Sequence, residues 1–164
     1  MVPIVAFVGS SGSGKTTLLK ELIQILKMRG YRVGAIKHTH HEFEIDKPGK
    51  DSYEMKTAGA ESVCILSSTK LGLVRDLTKE FSLEEITEKF FSEVDIVLAE
   101  GFKEYSVPQV AVVRRENPAP NAAQLIAVVS EIERTRLKID REIALFGFAE
   151  VDGLAEFLEK KFLK

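Results

Sequence analysis

The sequence predicts an α/β fold with three layers, in which a mostly parallel central sheet is flanked by helices. Two observations support this prediction. Short apolar runs without polar alternation recur along the chain, and such runs are typical of strands buried on both faces. Strand, helix and strand also follow one another within about 35 residues at the start of the chain. A unit of this kind makes a parallel pair of strands with a right-handed crossover.

The first three elements are predicted at the start of the chain. The apolar run 3–8 is expected to form a buried strand. A helix is expected over residues 16–29, because apolar residues recur there at helical spacing and Gly30 follows as a stop signal. Residues 32–37 predict the second strand.

The rest of the chain continues the alternation of strands and helices. A short helix is expected over 52–58, and a longer one begins at Ser82, which forms a capping box with Glu85. The last helix begins near Asp152, a favourable N-cap residue. Further strands are predicted at 62–67, 72–77, 95–99, 107–113 and 125–129. The predicted inner faces of the two long helices are formed by Ile86, Phe90 and Phe91, and by Leu154, Phe157, Leu158 and Phe162.

Length and composition indicate a single nucleotide-binding domain over residues 1–164. A chain of this size buries roughly 70% of the surface that its unfolded form exposes, so it needs no disulfide or structural metal. Cys64 is the only cysteine, and its position in a predicted strand favours a buried thiol in a reducing, cytoplasmic compartment.

Charge and hydropathy exclude other classes of protein. No apolar run approaches the roughly 18 to 20 residues that span a bilayer, and the N-terminus does not resemble a signal peptide. The net charge is −2, which argues against bulk electrostatic binding to nucleic acid. We therefore expect neither a membrane nor a nucleic-acid partner.

A phosphate-binding motif lies between the first strand and the first helix. Residues 9–16, GSSGSGKT, fit the pattern G-x-x-x-x-G-K-[ST]. Glycines let the backbone wrap around an anion, and the helix N-terminus adds positive potential. Lys15 is expected to reach the β- and γ-phosphates, and the Thr16 hydroxyl to bind the Mg²⁺ that bridges them. The motif therefore predicts the P-loop NTPase fold and a bound nucleotide.

An acid is expected at the carboxyl end of a neighbouring strand, where ligands of open α/β sheets gather. Glu100 directly follows the predicted strand 95–99. Its carboxylate is expected to hold Mg²⁺ through water or to orient the attacking water, and the N–H of Gly101 to approach the γ-phosphate. An exposed loop acid is the alternative. Asp95 is the rival carboxylate, but it lies at the wrong end of the strand.

The segment 38–51 reads as a long polar loop, a feature that is usually functional or disordered. It contains His38, His40 and His41, which raise the hypothesis of a transition-metal site. The alternative is that its polar side chains contact phosphate, Mg²⁺ or a substrate, with Asp46 or Asp51 as a second Mg²⁺ contact. Farther along the chain, Arg114 and Arg115 follow a predicted strand and meet either a phosphate, an acidic partner or only solvent.

Four segments together resemble one protein family. They are GSSGSGKTTL after the first strand, IKHTHHEFEIDKPGKDSY after the second, AGA at 58–60, and VDIVLAEGFK. The combination is similar to the molybdopterin-guanine dinucleotide biosynthesis protein B family, MobB, over most of residues 1–115. The histidine-containing loop makes the resemblance specific, because a P-loop alone is shared by many enzymes.

The resemblance implies a GTP-binding protein with weak intrinsic hydrolysis that is usually a homodimer. Such proteins assist the guanylyltransferase that attaches GMP to molybdopterin in the molybdenum cofactor. Lys15 and Glu100 would then be the catalytic residues, and Thr16 and Glu100 the Mg²⁺ site, with Asp46 as a weaker candidate. The implied triphosphate-binding residues are Gly9, Ser10, Ser11, Gly12, Ser13, Gly14, Lys15, Thr16 and Thr17.

The sequence departs from the general GTPase pattern in one respect. The guanine-reading motif Asn-Lys-x-Asp is absent, because the only asparagines are Asn117 and Asn121 and neither has such neighbours. Guanine preference thus rests on the resemblance, and the base pocket is unassigned. Two other functions stay open at this point: a small-molecule kinase with Arg114 and Arg115 in a lid, and a nucleotide-gated metallochaperone that uses the loop from His38 to His41.

Overall fold

The structure is a computed structural model that describes residues 1–39, 41–114, 124–140 and 142–163. The chain divides into two compact units, residues 1–38 with 83–164 and residues 39–82. The strands are β1 (Ile4–Val8), β2 (Val33–Lys37), β3 (Ser62–Leu66), β4 (Leu71–Arg75), β5 (Ile96–Glu100), β6 (Gln109–Val112), β7 (Leu125–Val129) and β8 (Ala144–Phe146). The helices are α1 (Lys15–Met28), α2 (Asp51–Thr57), α3 (Leu83–Phe90), α4 (Arg134–Leu137) and α5 (Val151–Phe162). The expectation of one domain over 1–164 stays a prediction.

The first unit is built on a six-stranded sheet with the order β2-β5-β1-β6-β7-β8. All of its neighbouring strands run parallel. The strand β1 lies in the interior of the sheet, between β5 and β6, and its five residues are all buried. Its uninterrupted apolar sequence follows from this position, because both faces of the strand are covered.

Two hydrophobic cores confirm the three-layer α/β architecture. Val5 and Phe7 of β1 pack on one face of the sheet with residues of α1 and α5, such as Leu22 and Leu158. The alternate residues of β1, such as Ala6, face the other core, which contains Leu83 of α3 and Leu137 of α4. The period-two alternation of a strand thus gives each face of the sheet its own layer of helices.

Several boundaries differ from those predicted. Strand β8 and helix α4 were not predicted, because β8 has three half-buried residues and α4 only four residues. In α3 the buried residues are Leu83 and Thr87. The predicted inner face is wrong for Phe90, which is 57% exposed, whereas Phe91 packs against the core. Helix α5 begins one residue before Asp152, whose carboxylate forms an ion pair with Arg29 rather than the predicted cap.

The second unit, residues 39–82, consists of a loop, helix α2 and a two-stranded antiparallel sheet of β3 and β4. Val63 is its buried strand residue, and the next residue, Cys64, is exposed. The prediction of a buried thiol is therefore wrong, because successive side chains of a strand point to opposite faces and this small sheet covers only one of them. None of the helices in the described ranges is long and apolar enough to cross a membrane.

Candidate nucleotide-binding site

The candidate site is the loop 9–14, which connects the buried strand β1 to helix α1. Parallel pairing brings the carboxyl ends of β1, β2 and β5 to one edge of the sheet, and the loop lies at that edge. The first N–H groups of α1 have no partner within a helix, so they and the helix dipole favour an anion here. The fold therefore places the N-terminus of α1 and the loop at the position where the motif predicts phosphate binding.

Two glycines are required by the geometry of this loop. A Cβ on Gly9 would lie 2.4 Å from the carbonyl oxygen of Val112, a contact with backbone that no side chain tolerates. Gly14 is the N-cap of α1 with φ +98°, a left-handed conformation that favours glycine, and a Cβ there would also lie 3.2 Å from Nε of Arg114. The loop thus follows a tight path that depends on the absence of side chains.

The Lys15 side chain folds back across the loop. Its Nζ donates hydrogen bonds to the carbonyl oxygens of Gly9, at 3.0 Å, and Ser10, at 2.8 Å. These neutral acceptors are weaker partners for an ammonium group than phosphate oxygens are. The ammonium is therefore placed where it can exchange backbone carbonyls for the oxygens of a bound phosphate.

Ser13 carries an unsatisfied polar group inside the loop. The residue is 3% exposed, and its Oγ has no hydrogen-bond partner among the residues that the structure describes. This oxygen lies 3.1 Å from the point that a Cβ on Gly9 would occupy, and that point is beside the carbonyl oxygen of Val112 in β6. A buried hydroxyl without a partner costs roughly 1–3 kcal/mol, and a ligand that supplies the hydrogen bond would recover that energy.

Thr16 and Glu100 are brought together from positions far apart in the sequence. The Thr16 hydroxyl donates to Oε2 of Glu100 over 2.7 Å, and Nζ of Lys37 lies 3.6 Å from Oε1 of the same carboxylate. The side chain of Glu100 is only 15% exposed. Its register explains this contact, since Glu100 is the last residue of β5 and pairs with Lys37 on one side and Phe7 on the other.

Two neighbouring predictions are resolved by hydrogen bonding. The N–H of Gly101 donates to the carbonyl oxygen of Phe7 at 3.0 Å, so the prediction that it approaches a phosphate is wrong. This backbone hydrogen bond extends the pairing between β5 and β1 by one residue. Asp95 lies at the opposite end of β5, where it accepts hydrogen bonds from Arg32.

Arg114 lies directly against the phosphate loop. Its Nε donates to the carbonyl oxygen of Ser13 at 3.3 Å, and its guanidinium lies 4.4 Å from the centre of the Phe148 ring. Arg114 thus contacts the phosphate loop through Ser13 and stacks on the ring of Phe148. Arg115, which the sequence analysis paired with it, lies outside the described residues.

The predicted histidine loop is divided between the two units. In the first unit, the N–H of His38 donates to the carbonyl oxygen of Glu100, and its ring lies 4.9 Å from that of Phe102. His41, Asp46 and residue 51 belong to the second unit, and His40 is not described. In the part of the chain that the structure describes, no group of three His, Cys, Asp or Glu side chains is arranged to hold a metal. The transition-metal and Asp46 hypotheses stay predictions.

The residues of the loop fit a nucleotide triphosphate and Mg²⁺. The orphaned Ser13 hydroxyl, the Lys15 ammonium and the free N–H groups of α1 are all donors, which is what phosphate oxygens require. Thr16 and Glu100 offer hard oxygen ligands, the type that Mg²⁺ prefers, and Mg²⁺ keeps several waters in such sites. Lys37 was not predicted to be part of the site, because its contact with Glu100 depends on the pairing of β2 with β5.

Comparison with known proteins gives a consistent result. Residues 4–131 match the family model described as molybdopterin guanine dinucleotide synthesis protein B. The chain is 38% identical to the molybdopterin-guanine dinucleotide biosynthesis adapter protein of Escherichia coli K12, covering 96% of this chain and 92% of that protein. It is also 38% identical to the adapter protein of the same name from Haemophilus influenzae, over 91% of this chain and 88% of that one.

Solved structures show the same fold. A crystal structure of molybdopterin-guanine biosynthesis protein B superposes with a TM-score of 0.78 and 31% identity, covering 96% of this chain and 99% of that one. The crystal structure of Bacillus subtilis MobB gives a TM-score of 0.77 at 24% identity, with 98% of each chain covered. The second likeness supports the architecture alone.

Proposed function

The chain belongs to the molybdopterin guanine dinucleotide synthesis protein B (MobB) family, and on that premise we propose that it is a GTP-binding adapter protein. Its role is in the biosynthesis of molybdopterin guanine dinucleotide, the form of the molybdenum cofactor that carries GMP. It acts with the guanylyltransferase that attaches GMP to molybdopterin. We further propose that it works as a homodimer in the cytoplasm.

The observation that carries the nucleotide half of this proposal is the contact between Thr16 and Glu100 beside the phosphate loop. A hydroxyl from the first turn of α1 and a carboxylate from the end of β5 form one oxygen-rich position next to Lys15. Mg²⁺ bound there would neutralise charge on the β- and γ-phosphates. Gly9 to Thr17 would hold the triphosphate through N–H groups, the Ser13 hydroxyl and the Lys15 ammonium.

The surroundings of Glu100 favour slow hydrolysis. The carboxylate accepts a hydrogen bond from Thr16 and lies 3.6 Å from the Lys37 ammonium, and these two partners hold it beside the proposed Mg²⁺ position. A carboxylate beside Mg²⁺ contacts the water molecules that the metal retains. It suits the holding of metal-bound water better than the removal of a proton, and a slowly hydrolysing protein suits an adapter that reports its nucleotide state.

Calorimetry tests the nucleotide half of the proposal. Purified protein is titrated with GTP, ATP and CTP, each with Mg²⁺ and with EDTA. We expect Mg²⁺-dependent binding with GTP favoured, and a turnover well below the usual enzymatic range of about 1–1000 per second. A clear preference for ATP would refute the assignment to GTP.

The adapter half is tested with the partner enzyme. The guanylyltransferase from the same organism is immobilised, and binding of this protein is measured with GTP, with GDP and without nucleotide. We expect a complex whose affinity depends on the nucleotide, and faster formation of molybdopterin guanine dinucleotide when the complex forms. Failure to bind in all three states, with the transferase active by itself, would contradict the adapter role.

A further inference from the structure

The edge of the sheet beyond the phosphate loop offers a place for the nucleotide base. Strands β6, β7 and β8 follow β1 in the sheet, and the second residue beyond the carboxyl end of each is Arg114, Glu131 and Phe148, respectively. Ligands of open α/β sheets lie along the carboxyl ends of the strands. A nucleotide whose phosphates occupy the loop 9–14 can therefore extend its base along this edge.

Phe148 and Arg114 both lie against the phosphate loop 9–14. The Cε1 atom of Phe148 lies 3.6 Å from the position that a Cβ on Gly14 would occupy, and the ring is half-buried. Arg114 joins the two, because it stacks on Phe148 and donates to the carbonyl oxygen of Ser13. Ser13 is also the residue whose buried hydroxyl lacks a partner among the described residues.

Glu131 is held in place at this edge by backbone. Its Oε1 accepts the backbone N–H of Phe148 at 2.7 Å, which fixes the carboxylate at the backbone of the residue that carries the aromatic ring. Within the described part of the chain, no basic side chain forms an ion pair with Glu131. A carboxylate has about four acceptor positions, so most of its hydrogen-bonding capacity is open to a ligand.

A carboxylate distinguishes the purines by their edges. Guanine presents two adjacent donors, N1–H and the exocyclic N2 amino group, which a carboxylate accepts together. Adenine presents an acceptor at its N1 position, which a carboxylate repels. Xanthine carries a carbonyl in place of the N2 amino group, so it is also rejected by a carboxylate but accepted by an amide.

We propose that Glu131 is the guanine-selecting residue of this protein, and that the ring of Phe148 forms the apolar wall against which the base lies. This inference rests on the proposed nucleotide binding and assigns the base pocket for which the Asn-Lys-x-Asp motif is missing. Glu150 is a weaker candidate, because its Oε2 accepts the N–H of Gly147 at 2.6 Å and closes the turn before α5.

The test is an exchange of base preference. Affinities for GTP, ATP and xanthosine triphosphate are measured by calorimetry with Mg²⁺ for the wild type, Glu131→Gln and the matched control Glu133→Gln. Glu133 is an exposed acid two residues farther along the chain. We expect Glu131→Gln to weaken the affinity for GTP roughly ten- to hundredfold and to strengthen the affinity for xanthosine triphosphate. A bidentate hydrogen-bonded pair with a base discriminates between bases by a factor of that order. The control should keep the wild-type ratios.

The gain in affinity for xanthosine triphosphate distinguishes a changed base preference from a loss of folding. A misfolded variant would not bind any of the nucleotides more tightly than the wild type does. Unchanged ratios in Glu131→Gln, an equal loss for all three nucleotides, or an exchange seen only in Glu133→Gln would each overturn the assignment. A wild type that binds no triphosphate would refute the proposed function and this inference with it. A wild type that prefers GTP while Glu131→Gln keeps that preference would refute the inference alone.

Discussion

The two ends of strand β5 carry the same chemical group in different surroundings. At the amino end, Asp95 accepts the backbone N–H of Arg32 at 2.7 Å and the guanidinium of the same residue at 2.9 Å. At the carboxyl end, Glu100 contacts the Thr16 hydroxyl and the Lys37 ammonium. Hydrogen bonds from the side chain and backbone of Arg32 hold the pKa of Asp95 below its ordinary value.

The position of a carboxylate in the parallel sheet therefore decides whether it stabilises the fold or faces a ligand. Asp95 accepts its hydrogen bonds from Arg32, the residue directly before the neighbouring strand β2, so it stabilises the pairing of β2 with β5. Glu100 lies where the first turn of α1 and the phosphate loop meet the sheet, and its partners are groups that a ligand or a metal can replace. The following predictions test this division between a stabilising end and a binding end.

The largest expected effect is on Lys15. Lys15→Ala removes the ammonium that bridges the loop, and we expect triphosphate affinity to fall by about a hundredfold or more, because charge-assisted bonds to phosphate are the strongest in the site. Calorimetry measures the loss. Lys20→Ala, an exposed lysine on the same helix, is the matched control and should bind normally. Retained micromolar affinity in Lys15→Ala would show that the site is elsewhere.

The next effect concerns Glu100. Glu100→Gln keeps the shape of the side chain but removes its charge, so we expect the Mg²⁺ dependence of GTP binding, or the rate of hydrolysis, to weaken by about tenfold. Titrating Mg²⁺ at constant GTP measures it. Asp95→Asn is the control from the other end of the strand and should leave the Mg²⁺ titration unchanged. The division between the two ends fails if both variants shift the titration equally.

A smaller effect is expected at Ser13, where one substitution should raise the stability of the free protein and lower its affinity for triphosphate. Ser13→Ala removes a buried hydroxyl that lacks a described partner, so the free protein should gain about 1 kcal/mol of stability, the lower end of the penalty for such a group. The same change removes a phosphate donor and should weaken triphosphate binding severalfold. Thermal unfolding with and without GTP measures both. A variant that is destabilised without nucleotide would show that the hydroxyl is satisfied in the free protein.

The smallest effect is the pH dependence contributed by Asp95. Because its pKa is lowered in the folded state, the unfolded chain binds this proton more tightly. The stabilisation is therefore present above the unfolded pKa of about 3.9 and is lost as the pH falls toward the folded pKa. We expect Asp95→Asn to lower the melting temperature slightly at pH 7, and the difference from the wild type to shrink below about pH 4. A difference independent of pH would exclude the ion pair as its cause.

Much of the fold was predictable because its signals are local. The buried run of β1, the helical spacing of α1 and the predicted strand ending before Glu100 all depend on neighbouring residues. The errors occur where local signals are weak or compete. Phe90 fits the apolar stripe of α3 but is exposed, because Leu83 and Thr87 occupy the core instead.

The phosphate loop could be located from local sequence alone, because its groups are contiguous backbone and side-chain atoms of residues 9–16 that need only a strand and a helix around them. Which distant residues join the loop depends on the tertiary fold. Thr16 and Glu100 are 84 positions apart and meet because β5 pairs with β1. Strand order fixes such contacts, and it arises from the packing of the whole sheet, which no local pattern encodes.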